Sequence, residues 1–301
     1  MDKKGIVAYL GITLVLSCAI QMLVLYVHVL SPAYFLLLAI PAFAAWTAGR
    51  LSPRPEFSPG VLWPIPLIRA LRVSCAIYLL FAVVFLITTI VGFTRPDWSI
   101  GELLAQVPSY NQIQVPDHIK PMVPTVILLL SFVLTFVIAP TIYAALMVGQ
   151  VYGWCGYLLP RLMPLGRWTA YGLVGLASCF SMMPMVFVTS SGSWPAHVFQ
   201  ALAYAVALSA MIGEVWRRSG SLGLTAVCAG CVYCHASSLW GYLFPANATV
   251  FPWGGTTGLF FTLAWALVAL APDEVFGPLE RSRYSAGQPD DSQAPDAGEA
   301  C

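Results

Sequence analysis

Eight apolar stretches run through this chain: Ile6–Val27, Pro32–Ala48, Val73–Phe93, Val123–Val148, Trp168–Val188, Pro195–Ile212, Ser221–Phe244 and Thr256–Ala271. About 20 residues, each rising 1.5 Å, cross a hydrocarbon layer of about 30 Å, so each stretch is a candidate membrane helix. Composition leaves little alternative. Hydrophobic side chains make up 59% of the 301 residues, charged ones only 9%, and the mean hydropathy is +0.79. A soluble domain carries about a quarter charged residues, and one core of this size cannot hide so much apolar surface from water. The solvent is lipid, and the expected fold class is an all-α polytopic membrane protein with eight transmembrane helices. The first stretch is too long for a signal-peptide core and no small-residue cleavage site follows it, so it is expected to stay.

The same numbers exclude several function classes. A net charge of +1, with fourteen Lys and Arg scattered along the chain, offers no phosphate-tracking patch and no nucleic-acid partner. Most of the eight Cys sit inside apolar runs and read as small buried residues, not as a disulfide framework.

Orientation follows from the basic residues. With the N-terminus inside, the inner segments hold Lys3, Lys4, Arg50, Arg54, Arg69, Arg72, Arg161, Arg167, Arg217, Arg218, Arg281 and Arg283, and the outer ones only Arg95 and Lys120. Twelve against two puts both termini in the cytoplasm. The long outer loop Thr94–Met122, with Asp97, Glu102, Asp117 and His118, is expected to form a cap or a short surface helix. The inner loop Gly49–Pro66 is expected along the headgroups. Residues 1–271 form the membrane domain. From 272 to 301 the chain turns to Asp, Gln, Ser, Pro and Gly, the composition of a disordered cytoplasmic tail. Pro140 is expected to kink the fourth span and free a carbonyl for a neighbouring helix.

One segment, Gly149-Gln-Val-Tyr-Gly-Trp-Cys-Gly-Tyr-Leu-Leu-Pro-Arg-Leu162, carries a frame of Gly149, Gly153, Trp154, Gly156, Tyr157, Leu158, Leu159, Pro160, Arg161 and Leu162. It resembles the first motif of the CAAX protease and bacteriocin-processing (CPBP, or Abi) family, typically GEExGWRGYLLPRL. Gly172–Pro184, ending Ser181-Met182-Met183-Pro184, is similar to the second motif, where a His precedes a Leu-Pro pair. Arg218-Ser219-Gly220-Ser221-Leu222 is similar to the RTGSL start of the third, which continues to a His followed four residues later by Asn or Asp. Lys3-Lys4-Gly5-Ile6 with Tyr9-Leu10 and Thr13 is typical of bacterial and archaeal members. The resemblance implies a CAAX prenyl endopeptidase-like helix bundle in a prokaryotic plasma membrane. In active relatives a Glu pair and two His activate a water buried in the bilayer to cleave prenylated CAAX tails, or to process or resist bacteriocins.

The chemical positions of that pattern are empty here. Gln150 and Val151 stand at the Glu pair, Cys155 at the Arg, Met182 at the second-motif His, Ala229 at the third-motif His and Tyr233 at its partner. Hydrolysing a peptide bond needs a base near neutral pKa or a metal to make hydroxide, and these side chains supply neither. Ionisable groups deep in the bilayer cost about 2.5–3.5 kcal/mol each on insertion scales, so they persist only for function. Neutral replacements are what relaxation of that demand leaves. No catalytic residue, metal ligand or cofactor site is intact. The polar groups expected to line a vestigial cavity are Gln150, Tyr152, Tyr157 and Tyr233, with Cys155 and His235 nearby.

Cys228, Cys231, Cys234 and His235 form C-x-x-C-x-x-C-H, whose last five positions match a haem-attachment string. Its place within an apolar span argues against haem. Cys at i, i+3 and i+6 on one helix cannot all close on a tetrahedral metal. Small-residue packing beside Ala226, Ala229 and Gly230 is the expected role, with a cluster including Cys155 and Cys179 as the alternative. His235 is expected to hydrogen-bond to a neighbouring helix. His28 and His197 are expected at the interface, His118 in solvent, and Asp273 and Glu274 at a solvated span end.

Two functions follow from different classes. One is a catalytically inactive CPBP-like protein whose partners are membrane lipids and a membrane protein or lipidated peptide. The other is an endopeptidase with relocated groups, Cys155 or Cys234 with His235. A transporter or channel lacks its usual support, an intramembrane carboxylate or an inverted repeat. Depth arithmetic bears on the motif alignment: Met182 lies about 21 Å beyond Trp168, while Ala229 lies about 12 Å beyond Ser221.

Overall fold

The computed structural model describes residues 2–27, 32–51, 67–98, 122–189, 194–244 and 256–271. The tail from 272, most of the loops around residues 50–66 and 94–122, and with them His28, Glu102, Asp117, His118, Asn247, Asp273 and Glu274, lie outside these residues.

The described residues form helices and turns, with no strand among them. The helices are α1 (Lys3–Val27), α2 (Pro32–Leu51) and α3 (Leu67–Ile90), then a long interrupted α4 (Val123–Leu165), α5 (Arg167–Ser181) and α6 (Met183–Thr189). They continue as α7 (Trp194–Ser219), α8 (Leu222–Ser237), α9 (Leu239–Leu243) and α10 (Leu259–Leu270). Each of the eight apolar stretches falls on helix. Five helices are long and apolar enough to cross a membrane: Lys3–Tyr26, Leu67–Ile90, Val123–Leu165, Trp194–Ser219 and Leu222–Gly241. Leu36–Leu51 and Leu259–Leu270 are shorter apolar helices, and the Trp168–Val188 stretch is broken at Met182. Large apolar side chains such as Leu79, Leu129, Leu130 and Leu267 point outward. A bundle whose outside is apolar matches a lipid solvent. The chain has the character of an integral membrane protein.

Packing directions come from points where glycine lets backbones meet. A Cβ on Gly149 would fall 2.7 Å from the Leu38 carbonyl oxygen, and one on Gly153 would fall 2.5 Å from that of Pro41. The two sequences rise together, so α2 and α4 run parallel. Gly230 lies where a Cβ would sit 2.7 Å from the Ala144 Cα, and Gly156 touches Leu222, so α8 runs antiparallel to α4. Aromatic contacts set α3 parallel to α8: Tyr78 and Phe81 meet His235, and Phe85 stacks on Trp240 and Phe244 at 5.4 and 4.3 Å between ring centroids. At Gly175 of α5, a Cβ would fall 2.5 Å from the Val206 Cα of α7.

Pro140 acts as its chemistry dictates. Lacking an N–H, it cannot continue the ladder, and the helix widens into a π-helical turn over Ala139–Tyr143. Here the Thr141 hydroxyl donates to the Val137 carbonyl at 2.7 Å, within the same helix.

Candidate functional site

The first-motif segment folds as part of α4. It is helical throughout, with a second π-helical turn over Tyr152–Leu158 in which Gly153 to Leu158 are all buried. The frame residues account for this local structure. Gly149 and Gly153 admit α2, as described above. Trp154 and Tyr157 grip α1 through Tyr9, which is edge-on to Trp154 at 5.6 Å and stacked on Tyr157 at 5.1 Å. Arg161 lies over the Tyr157 ring at 3.6 Å, donates to the Tyr157 carbonyl at 3.1 Å and approaches the Asp2 carboxylate at 3.6 Å. Asp2 also caps α1 by accepting from the Gly5 N–H at 3.0 Å. Leu158, Leu159 and Leu162 are buried in the core. Gly149, Gly153, Trp154, Tyr157 and Arg161 of the frame thus hold α1, α2 and α4 together.

The chemical positions sit inside this scaffold. Val151 and Cys155 are buried and Gln150 is half-buried. Cys155 lies within electrostatic reach of Tyr9 on α1 and of Cys228 on α8. Ala229 is buried on α8 between Cys228 and Gly230, and Gly230 packs on Ala144 of α4. The helices that carry the first-motif and third-motif positions therefore pack on each other.

Met182 stands elsewhere. It is the residue at which α5 ends and α6 begins, with φ −104° and ψ 3°. Counted along their helices from the same end of the bundle, Met182 lies about 22 Å in and Ala229 about 11 Å in. Across the break sits Gln21, a fully buried residue of α1. Its side-chain amide donates to the carbonyls of Ser17 and Ser181 and accepts from the Met185 N–H at 3.2 Å.

The expected cavity-lining tyrosines separate. Tyr157 is buried against Tyr9 and Arg161, whereas Tyr233 is 41% exposed and meets Tyr143 at 5.8 Å. Tyr143 and Tyr157 are about 20 Å apart along α4. Tyr152 is half-buried beside Gly156.

The Cys and His run points in several directions. Cys228 contacts the Met211 sulfur at 3.7 Å, Cys231 contacts the Ser74 hydroxyl at 3.4 Å, and Cys234 faces the Ser238 hydroxyl at 3.8 Å. Among the described residues, no three His, Cys, Asp or Glu lie together as a metal site. His235 is buried between the rings of Tyr78 and Phe81, with centroids 5.1 and 5.4 Å away. Its Nδ1 has no hydrogen-bond partner among the described residues. Gly156 beside Leu222 sets Cys155 near the start of α8, and His235 lies thirteen residues, about 20 Å, further along that helix.

Two polar centres escape motif reading. Gln21 is one. The other is Glu214 on α7, which is 2% exposed. It accepts from Tyr171 at 3.0 Å, from Arg217 at 2.7 and 3.0 Å, and from Arg218 at 3.0 Å, with Arg167 at 3.8 Å. Arg218 also donates to the Ala271 carbonyl at 2.7 Å, tying the end of α10 to α7. The signal for both was in the sequence: a polar side chain in or next to an apolar run needs a partner.

No protein-family model, curated protein or solved structure matches the chain.

Proposed function

We propose that this chain is a CPBP-like integral membrane protein, a pseudoprotease that binds a membrane partner or lipidated peptide instead of cleaving it. In this reading the chain crosses a prokaryotic plasma membrane eight times, in a CAAX prenyl endopeptidase-like bundle with both termini in the cytoplasm. One observation carries it. The residues of the first-motif frame are those that pack α4 on α1 and α2, while the positions that would carry chemistry hold Gln150, Val151, Cys155 and Ala229. Scaffold residues kept and reactive ones replaced is the pattern expected when binding outlives catalysis. A buried proton acceptor with suitable reach is what hydrolysis would require. The thiol of Cys155 is held at a different level from the His235 imidazole, so the two do not form a nucleophile–base pair.

The test is incubation of the purified protein with a farnesylated CAAX peptide, with cleavage and retention read separately. Saturable retention without cleavage is the expected result. Sustained turnover that survives purification would overturn the inactive reading, and absence of any retention would overturn the binding role.

A further inference from the structure

Apart from Arg95 and Asp97 beyond the end of α3, the Lys, Arg, Asp and Glu of the described residues gather at one end of the bundle. Asp2 meets Arg161, and Arg167 approaches Glu214, which Arg217 and Arg218 hold. Helix directions place Arg50 at the far end of α2, and Arg69 and Arg72 at the start of α3, on the same side. That end therefore gathers nine cations, Lys3, Lys4, Arg50, Arg69, Arg72, Arg161, Arg167, Arg217 and Arg218, against the two carboxylates of Asp2 and Glu214. Lys3 and Lys4 open α1, whose N-terminus Asp2 caps, and Arg167 opens α5. Lys3, Lys4, Arg50, Arg72 and Arg167 are exposed.

The chain carries its own counter-charge. Residues 272–301 contain Asp273, Glu274, Glu280, Asp290, Asp291, Asp296 and Glu299, seven carboxylates against Arg281 and Arg283. This segment departs one residue beyond Ala271, whose carbonyl Arg218 already holds. A tethered partner acts at a local concentration in the millimolar range, far above that of a free peptide.

We infer that the acidic segment 272–301 docks on this basic collar and shields it from anionic lipid headgroups, which are drawn to the same charge. The occupant is the chain's own tail because it leaves α10 at the collar and its charge is opposite. Headgroups compete for the exposed Lys3, Lys4, Arg50 and Arg167.

The test is limited trypsin cleavage of the full chain in phosphatidylcholine nanodiscs, following release of the fragment beginning at Tyr284 and normalising to a free peptide of residues 272–301. Between about 10 mM and about 1 M salt the screening length falls from about 30 to about 3 Å, and relative cleavage should rise about tenfold. Two variants should be cut quickly at both salt levels. One is Lys3→Gln, Lys4→Gln, Arg50→Gln, Arg72→Gln, which leaves the buried Arg161 and Glu214 networks intact. The other is Asp290→Asn, Asp291→Asn, Asp296→Asn, Glu299→Gln, which alters no helix. Adding phosphatidylglycerol to the discs should release the wild-type tail. Low-salt cleavage of the wild type at the free-peptide rate overturns the proposal, as does slow cleavage that persists in the collar variant. Protection seen only with phosphatidylglycerol also overturns it, because the bilayer would then be holding the tail.

Discussion

Gly153 and Pro41 meet so closely that the backbone of α2 occupies the space a side chain on α4 would need: a Cβ on Gly153 would sit 2.5 Å from the Pro41 carbonyl oxygen. Without a hydrophobic drive between helices, membrane bundles gain from such close backbone approach. The same relationship recurs at Gly149 with Leu38. These two glycines, four residues apart, form the seam that fixes the motif segment against α2.

Gly153→Ala should therefore lower stability by about 1–3 kcal/mol, the usual cost of forcing atoms into a filled contact. Gly149→Ala should behave similarly. Gly172→Ala, where a Cβ meets nothing within 4 Å, should be neutral or stabilising by up to about 1 kcal/mol. Thermal unfolding in detergent measures all three. Equal melting temperatures for Gly153→Ala and Gly172→Ala would refute the seam.

Glu214 is the charged keystone of the same end. Its carboxylate receives Tyr171, Arg217 and Arg218 while almost wholly removed from solvent. Glu214→Gln removes the negative charge and leaves guanidinium groups facing one another, so a loss of about 3–5 kcal/mol is expected. Tyr171→Phe removes one hydrogen bond to a charged acceptor and should cost about 1.5–3 kcal/mol. Denaturation of the two variants should rank them in that order, and a reversed order would show that the aromatic contact, not the ion pair, holds α5 to α7.

Gln21 predicts where the α5–α6 break opens. Gln21→Leu removes the amide that donates to the Ser181 carbonyl and one of two acceptors of the Met185 N–H, the other being the Met182 carbonyl at 3.1 Å, a penalty of about 1–3 kcal/mol. Hydrogen exchange at Met185 should accelerate in this variant while amides in the middle of α5 stay protected. Unchanged exchange at Met185 would show that the break is self-supporting.

Much of this arrangement is legible in the sequence, for definite physical reasons. Apolar length marks the helical segments, because lipid demands continuous backbone hydrogen bonding, but not the breaks at Met182 and Ser238. The three thiols of the Cys run turn to Met211, Ser74 and Ser238, contacts that no local pattern encodes. Helix-to-helix depth is not legible. The spacing of Met182 from Pro184 suggests a shared site with Ala229, but a break in α5 and its own register against α1 place it deeper. Tyr233 and Tyr157 likewise look like neighbours in a list of polar residues, yet α4 is long enough to hold them far apart. Partners such as Gln21 with Ser181 are separated by 160 residues. No local pattern encodes them.

Topology is the next expectation. Charge asymmetry predicts reporter fusions after Arg50, Lys120, Arg167, Trp194, Arg218 and Arg283 to read in, out, in, out, in and in. The structure adds a constraint: Arg167 and Arg218 share one end through Glu214, so their fusions must agree whatever the absolute orientation. Opposite readings at those two positions would contradict the bundle itself. An outside reading at Arg283 alone would remove the eight-span count while leaving the described helices in place.

The last prediction concerns recovery of chemistry. Gln150, Val151, Cys155, Met182 and Ala229 stand at the positions where the resemblance calls for Glu, Glu, Arg, His and His. Groups that act as one catalytic unit are strongly non-additive, so restoring Glu at 150 or His at 229 alone should yield no turnover. The structure makes the five-site restoration a sharper experiment. Cys155 and Ala229 are buried on α4 and α8, which pack on each other, but Met182 lies about 11 Å deeper than Ala229, next to the residues that Gln21 holds. A His at 182 would therefore have to reach across that depth to share a water with Glu at 150. The five-site variant, if it folds, should remain inactive toward a farnesylated CAAX peptide, because its second His is held at the wrong level. Folding is checked by retention of the wild-type melting profile, since each charged addition at mid-bilayer costs about 2.5–3.5 kcal/mol. Turnover by a folded five-site variant, abolished by returning Met to 182, would show that the break at Met182 closes toward α8 and would restore the shared site.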